Sequence, residues 1–157
     1  HFAAYELTFG SKVRRDCHAG EWVDKEPSET YRARLLANVR VAIFGLKCDG
    51  ISHAIPLCDD PELVRYCADN GIRVAGCPLS NQRGGLIDHV GELQIGQLLD
   101  QGVIYTLNAD DDLFLPPMET VVAECDDMYG FTPEQCRKLE ANVFEGAFSE
   151  AAKKLAP

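Results

Sequence analysis

No apolar stretch in this 157-residue chain approaches the about 18 residues of a membrane-spanning helix, and the amino terminus HFAAYELTFG lacks the basic, apolar and cleavage regions of a secretory leader. A soluble, cytoplasmic protein with no membrane contact is the expectation. Basic residues are few: 15 Lys and Arg stand against 25 Asp and Glu, a formal net charge of -10 that repels a phosphate backbone and argues against nucleic acid as a partner. The seven cysteines, Cys17, Cys48, Cys58, Cys67, Cys77, Cys125 and Cys136, form no C-x-x-C pair. Their odd number and scatter suggest neither a disulfide framework nor a zinc ribbon, and reduced thiols are the simplest reading. Low-complexity tracts and strong linkers are also lacking, and 46% hydrophobic residues suit one domain with a sizeable core over residues 1–157.

Short apolar runs alternate with longer amphipathic ones, the pattern of repeated βα units and a parallel sheet. Four units are expected. The first strand is placed at Val13–His18, although its sequence VRRDCH is polar for a buried strand, and a helix follows from Ser28, as cap, to Phe44, with Tyr31, Leu35, Leu36 and Val39 on one face. The second strand is Gly50–His53, and its helix is punctuated by Asp60 as cap, Pro61 in the first turn and Gly71 at the stop. A third strand, Ile72–Gly76, leads into a loop from Cys77 to about Gly91, a helix Glu92–Gln101 and a fourth strand Val103–Leu107. Beyond a Pro-Pro loop lie a helix at Met118–Tyr129 and a capping box, Thr132-Pro133-Glu134-Gln135, opening the last helical region.

Ligands of parallel sheets gather at the carboxyl ends of the strands, and four polar motifs fall there. HAGE places His18 and Glu21 three residues apart around an Ala19-Gly20 corner that lets backbone approach a ligand. His53 ends the second strand in GISHA. CPLSN, Cys77 to Asn81, follows the third; by itself it reads as turn chemistry, with Cys77 a buried structural thiol. LNADDD follows the fourth, and the repulsion of the adjacent Asp110 and Asp111 is relieved by a cation or by a proton shared with a ligand. Taken singly, each motif is also compatible with a purely structural role.

Taken in order, HAGE, a histidine ending the next strand, CPLSN and ADD resemble the adenosine deaminase family of amidohydrolase barrels, as do the opening HFAAYELTFG and the tail NVFEGAF. The resemblance covers essentially the whole chain. It implies an α/β fold, the carboxyl-terminal half (strands five to eight with their helices) of a (β/α)8 TIM-type barrel, and one catalytic Zn2+. It implies His18 and Asp110 as metal ligands and His53 beside the water that attacks the ring. Glu21 would be the acid that protonates a purine ring nitrogen, which requires a raised pKa from burial or nearby carboxylates. Asp111 would bind another ring nitrogen, and Gly20 would approach the substrate. The reaction implied is hydrolytic removal of the amine of adenosine or a related aminopurine, a small-molecule substrate.

The family's first strand carries a His-x-His pair that completes the zinc site, and this chain, whose histidines are His1, His18, His53 and His89, has none. Ala54 stands where the family usually has glycine, and Asp112 where a proline commonly follows the aspartate pair. Three readings follow: a piece of a working deaminase, either a fragment of it or one chain of a split barrel whose partner supplies the His-x-His strand; a non-catalytic half-barrel module that self-associates or pairs with another protein; or an unrelated flavodoxin-like domain.

Overall fold

The computed structural model describes residues 2–10, 12–22, 29–111 and 113–155. Ser28, Asp112 and His1 lie outside the described residues. After a short helix α1 (Phe2–Phe9), four βα units follow: β1 (Asp16–Ala19) with α2 (Glu29–Arg40), β2 (Gly50–His53) with α3 (Pro61–Asp69), β3 (Arg73–Gly76) with α4 (Pro78–Arg83) and α5 (Ile95–Asp100), and β4 (Tyr105–Leu107) with α6 (Met118–Tyr129). Two helices, α7 (Pro133–Glu145) and α8 (Glu150–Lys153), close the chain. The sheet runs β1-β2-β3-β4, every pair parallel, so spatial order repeats chain order and each strand returns through a helical crossover.

Register assigns the two faces. Cys17, Ile51, Val74 and Tyr105 are paired in one row, and Ile51, Val74 and Tyr105 are sealed in the core with Leu63, Val64 and Leu99. One residue on, the row His18, Ser52, Ala75, Thr106 points to the opposite face. That face is polar from its start: Asp16 accepts from Ser52 Oγ at 2.9 Å and pairs with Arg73, whose guanidinium lies 4.5 Å from the centre of the Phe148 ring. The polarity of VRRDCH thus belongs to a strand that buries one face only.

The local signals hold where they are self-contained. Asp60 accepts from Leu63 N at 3.0 Å with Pro61 at the first helical position, and Thr132 and Gln135 exchange their reciprocal bonds at 3.2 and 3.0 Å. Three expectations are corrected. Strand β1 begins at Asp16, not Val13, because the Asp49 carboxylate takes the Arg15 N–H at 3.1 Å while the Arg15 carbonyl accepts from both Asp49 N and Gly50 N. The stretch after β3 is not all loop, since Pro78–Arg83 forms α4 with proline at its first position. The helix expected from Glu92 starts at Ile95, because His89 and Glu92 cap a separate 3-10 turn, Val90–Leu93, and Gln94 turns left-handed after it (φ 50°). Among the described residues no helix is long and apolar enough to cross a membrane.

Candidate active site

The carboxyl end of β1 is tied to that of β2 beyond the strands themselves: Ala54 N donates to the Ala19 carbonyl at 3.0 Å and Ile55 N to the Gly20 carbonyl at 3.2 Å. Between them the chain turns twice through left-handed conformations, at Gly20 (φ 72°) and at His53 and Ala54 (φ 70° and 48°). Histidine tolerates that region better than most residues, whereas Ala54 accepts strain that glycine would avoid. Gly20 is required twice over. A Cβ there would lie 2.6 Å from Val39 Cγ2 and 3.1 Å from Pro56 Cδ, in addition to the positive φ. Gly20→Ala is therefore expected to lower stability by about 1–3 kcal/mol, read by urea unfolding; an unchanged midpoint would contradict this account of the corner.

This double turn brings three side chains together. His18 Nδ1 lies 3.2 Å from Glu21 Oε2, His53 Nε2 lies 3.0 Å from His18 Nδ1, and His53 Nε2 lies 3.4 Å from the same Glu21 oxygen. His53 is 1% exposed while the His18 side chain is 63% exposed, so the cluster has a dry floor and an open lip. Glu21 thus faces two imidazoles. The other ring nitrogen of His53, Nδ1, faces Asn81 Oδ1 at 2.8 Å, and Asn81 is fully buried in α4.

Asp110, left-handed like His53 (φ 74°), accepts from Ser80 Oγ at 2.6 Å. It lines, with His18, Ser52, Arg73, Cys77 and Asn108, a hollow of about 420 Å3 on the polar face of the sheet. The donor atoms of His18, Glu21 and His53 lie within 4.8 Å of one another, and so do those of His53, Cys77 and Asp110. His53 links the two sets, while no such trio among the described residues holds both His18 and Asp110. Imidazole with carboxylate or thiolate is the donor chemistry that zinc takes. Cys77 enters as a neutral group, since burial, with Asp110 and Glu21 adding, pushes its thiol up to about 12. Asp111 stands apart: its carboxylate accepts from Leu113 N at 3.0 Å, and it does not line the hollow.

Reading by motif therefore located His18, Gly20, Glu21, His53 and Asp110 at one mouth. It missed Ser80 and Asn81. Both lie inside CPLSN, and the signal that marks them is Pro78 directly after a strand, a helix start that points the first turn toward the mouth.

The adenosine deaminase family model matches residues 1–156. The chain belongs to the adenosine deaminase family. A curated relative, the adenine deaminase of Schizosaccharomyces pombe, is 31% identical over 110 residues, which are 70% of this chain and 27% of that protein. Among solved structures, an adenine deaminase from Arthrobacter aurescens superposes with a TM-score of 0.72 at 26% identity, covering 97% of this chain and 42% of that one. A zinc-bound amidohydrolase from Burkhoderia ambifaria shares the fold, with a TM-score of 0.71 at 23% identity, 99% of this chain and 41% of that one. The chain thus spans well under half the length of the proteins it matches.

Proposed function

We propose that this chain is the carboxyl-terminal half of a zinc-dependent barrel deaminase that hydrolyses the amine of adenosine, adenine or a related aminopurine. The observation that carries this reading is the convergence of His18, Glu21 and His53 within 3.0–3.4 Å at the ends of adjacent parallel strands, in a chain of this family. His18 and Asp110 would hold the metal with two donors from outside this chain. Zinc, when bound, supplies Lewis acidity that makes a water nucleophilic near neutral pH. Buried His53 orients the attacking water through Nε2 and takes its proton. Glu21 delivers a proton to the purine ring nitrogen beside the carbon under attack, Gly20 lets backbone approach the ring, and Asp111 releases Leu113 N to bind a second ring nitrogen.

A completing partner has a place to dock. Strands β1 and β4 are the outer strands of the sheet, and beside β4 an apolar groove is lined by Leu107, Met118, Val122, Phe131, Leu139 and Val143. The remaining strands of the barrel, on the same polypeptide or on a second one, would pair with these edges and cover the groove.

Zinc content measured with light scattering on the same sample tests the reading. One zinc per completed site is expected, lost in His18→Ala and in Asp110→Asn, together with ammonia release from adenosine or adenine. Self-associated or paired chains without zinc would instead mark a non-catalytic assembly module.

A further inference from the structure

Asn81 stands out among the buried polar side chains. It is 0% exposed, its Oδ1 faces His53 Nδ1 at 2.8 Å, and its Nδ2 has no hydrogen-bond partner among the described residues. An unpaired buried amide is costly, and an apolar side chain of similar size would fill the position without that cost. Its backbone is firmly held: Asn81 N donates to the Cys77 carbonyl at 2.9 Å, and its own carbonyl accepts from Leu86 N at 2.9 Å. Helix α4 therefore aims one fixed acceptor at one ring nitrogen of His53.

We infer that Asn81 is a positioning residue that holds neutral His53 in the Nδ1–H tautomer and so keeps Nε2 as a lone pair facing His18 and Glu21. The amide oxygen only accepts, so the hydrogen between the two groups belongs to Nδ1. A neutral imidazole carries one hydrogen, and Nε2 is left as an acceptor pointing into the mouth. A carboxylate at position 81 would favour the doubly protonated ring; the amide fixes the tautomer without adding charge. The residues are 28 positions apart, and only the crossover through α3 and β3 makes them neighbours. The catalytic consequence rests on the deaminase reading, whereas the tautomer is a property of this chain alone.

The test is 15N NMR of the metal-free chain labelled at histidine, at alkaline pH, with the His53 signals assigned by their loss in His53→Gln. Nitrogen shifts distinguish the two tautomers directly. The parent is expected as Nδ1–H, Asn81→Leu as predominantly Nε2–H, and Asn81→Ser, whose hydroxyl can still accept, as intermediate. In the completed zinc enzyme, kcat of Asn81→Leu is expected to fall about tenfold to a hundredfold, the range for losing the partner of an active-site histidine, with KM little changed. An Nε2–H tautomer in the parent, as a reversed amide would impose, overturns the inference. So does a tautomer that Asn81→Leu leaves unchanged. If Asn81→Leu does not fold, the parent and Asn81→Ser spectra decide. Failure of the deaminase reading would remove only the kinetic readout.

Discussion

In the proposed completed deaminase, Glu21→Gln is expected to lower kcat for aminopurine deamination by about 10^2 to 10^4-fold, the usual contribution of a general acid, while leaving zinc content and KM nearly unchanged. The substitution keeps the shape and polarity of a side chain that is only 20% exposed, so the fold should not register it. What it removes is a carboxyl oxygen, Oε2, able to carry and surrender a proton. That oxygen lies 3.2 Å from His18 Nδ1 and 3.4 Å from His53 Nε2, so three nitrogen and oxygen atoms crowd one point and must share hydrogens. An amide donates into such a cluster but cannot surrender its hydrogen to a substrate. Glutamate can, and the open lip beside His18 is where a purine ring would meet it. Steady-state ammonia release by the completed enzyme measures the loss, and metal analysis of the same preparation separates a missing proton from a missing ion. A variant that keeps more than a tenth of kcat would remove Glu21 from the acid's role.

The parts of this molecule that a reader of the sequence obtains are those decided within a few residues. Asp60, Pro61 and Gly71 bound α3 because a cap, a fixed φ and a left-handed stop act locally, and the same holds for the Thr132–Gln135 box before α7. The ordered motifs at the strand ends located the mouth because a parallel βα repeat places every such end on the same side. What stayed hidden depends on contacts across the sheet. The early end of β1 is set by Asp49, which lies 34 residues beyond its partner Arg15. CPLSN carries proline, serine and asparagine, the usual residues of a turn, and only their neighbours, His53 28 residues before Asn81 and Asp110 30 residues after Ser80, bring them to the strand ends where the other motifs meet. Asp111, whose role the family resemblance implied, is turned into its own loop, where after the left-handed turn at Asp110 its carboxylate accepts from Leu113 N.

The largest effect on stability is expected from Gly76→Ala, a change of one methyl group at the end of β3. A Cβ at this position would fall inside the Tyr105 phenol, overlapping Oη and Cζ and reaching Cε1 at 2.7 Å. Tyr105 is 1% exposed in the centre of the core, its hydroxyl has no hydrogen-bond partner among the described residues, and burial holds its pKa well above the usual tyrosine value. The ring crosses over Gly76 because β3 and β4 pair Gly76 with Leu107, and Tyr105 is two residues earlier on the same face. A ring so closely enclosed has little room to move aside, so either the ring leaves the core or the two strands part. The expected cost is about 3 kcal/mol or more, at the upper end for overpacking and a large share of a typical domain's stability. Strand separation would also loosen the Asn108 N–H from the Gly76 carbonyl, a 2.9 Å bond that anchors the loop carrying Asp110, so zinc binding in the proposed completed deaminase should weaken with stability. Tyr105→Phe by itself should be neutral or stabilising by about 1 kcal/mol, since it deletes an unpaired buried hydroxyl. It should not rescue Gly76→Ala, because the ring carbon Cζ remains in the way. Tyr105→Leu should rescue in part, with a favourable coupling of about 1–3 kcal/mol in a double-mutant cycle followed by urea unfolding. A Gly76→Ala midpoint close to the parent's would mean that the Tyr105 ring does not occupy the space above β3.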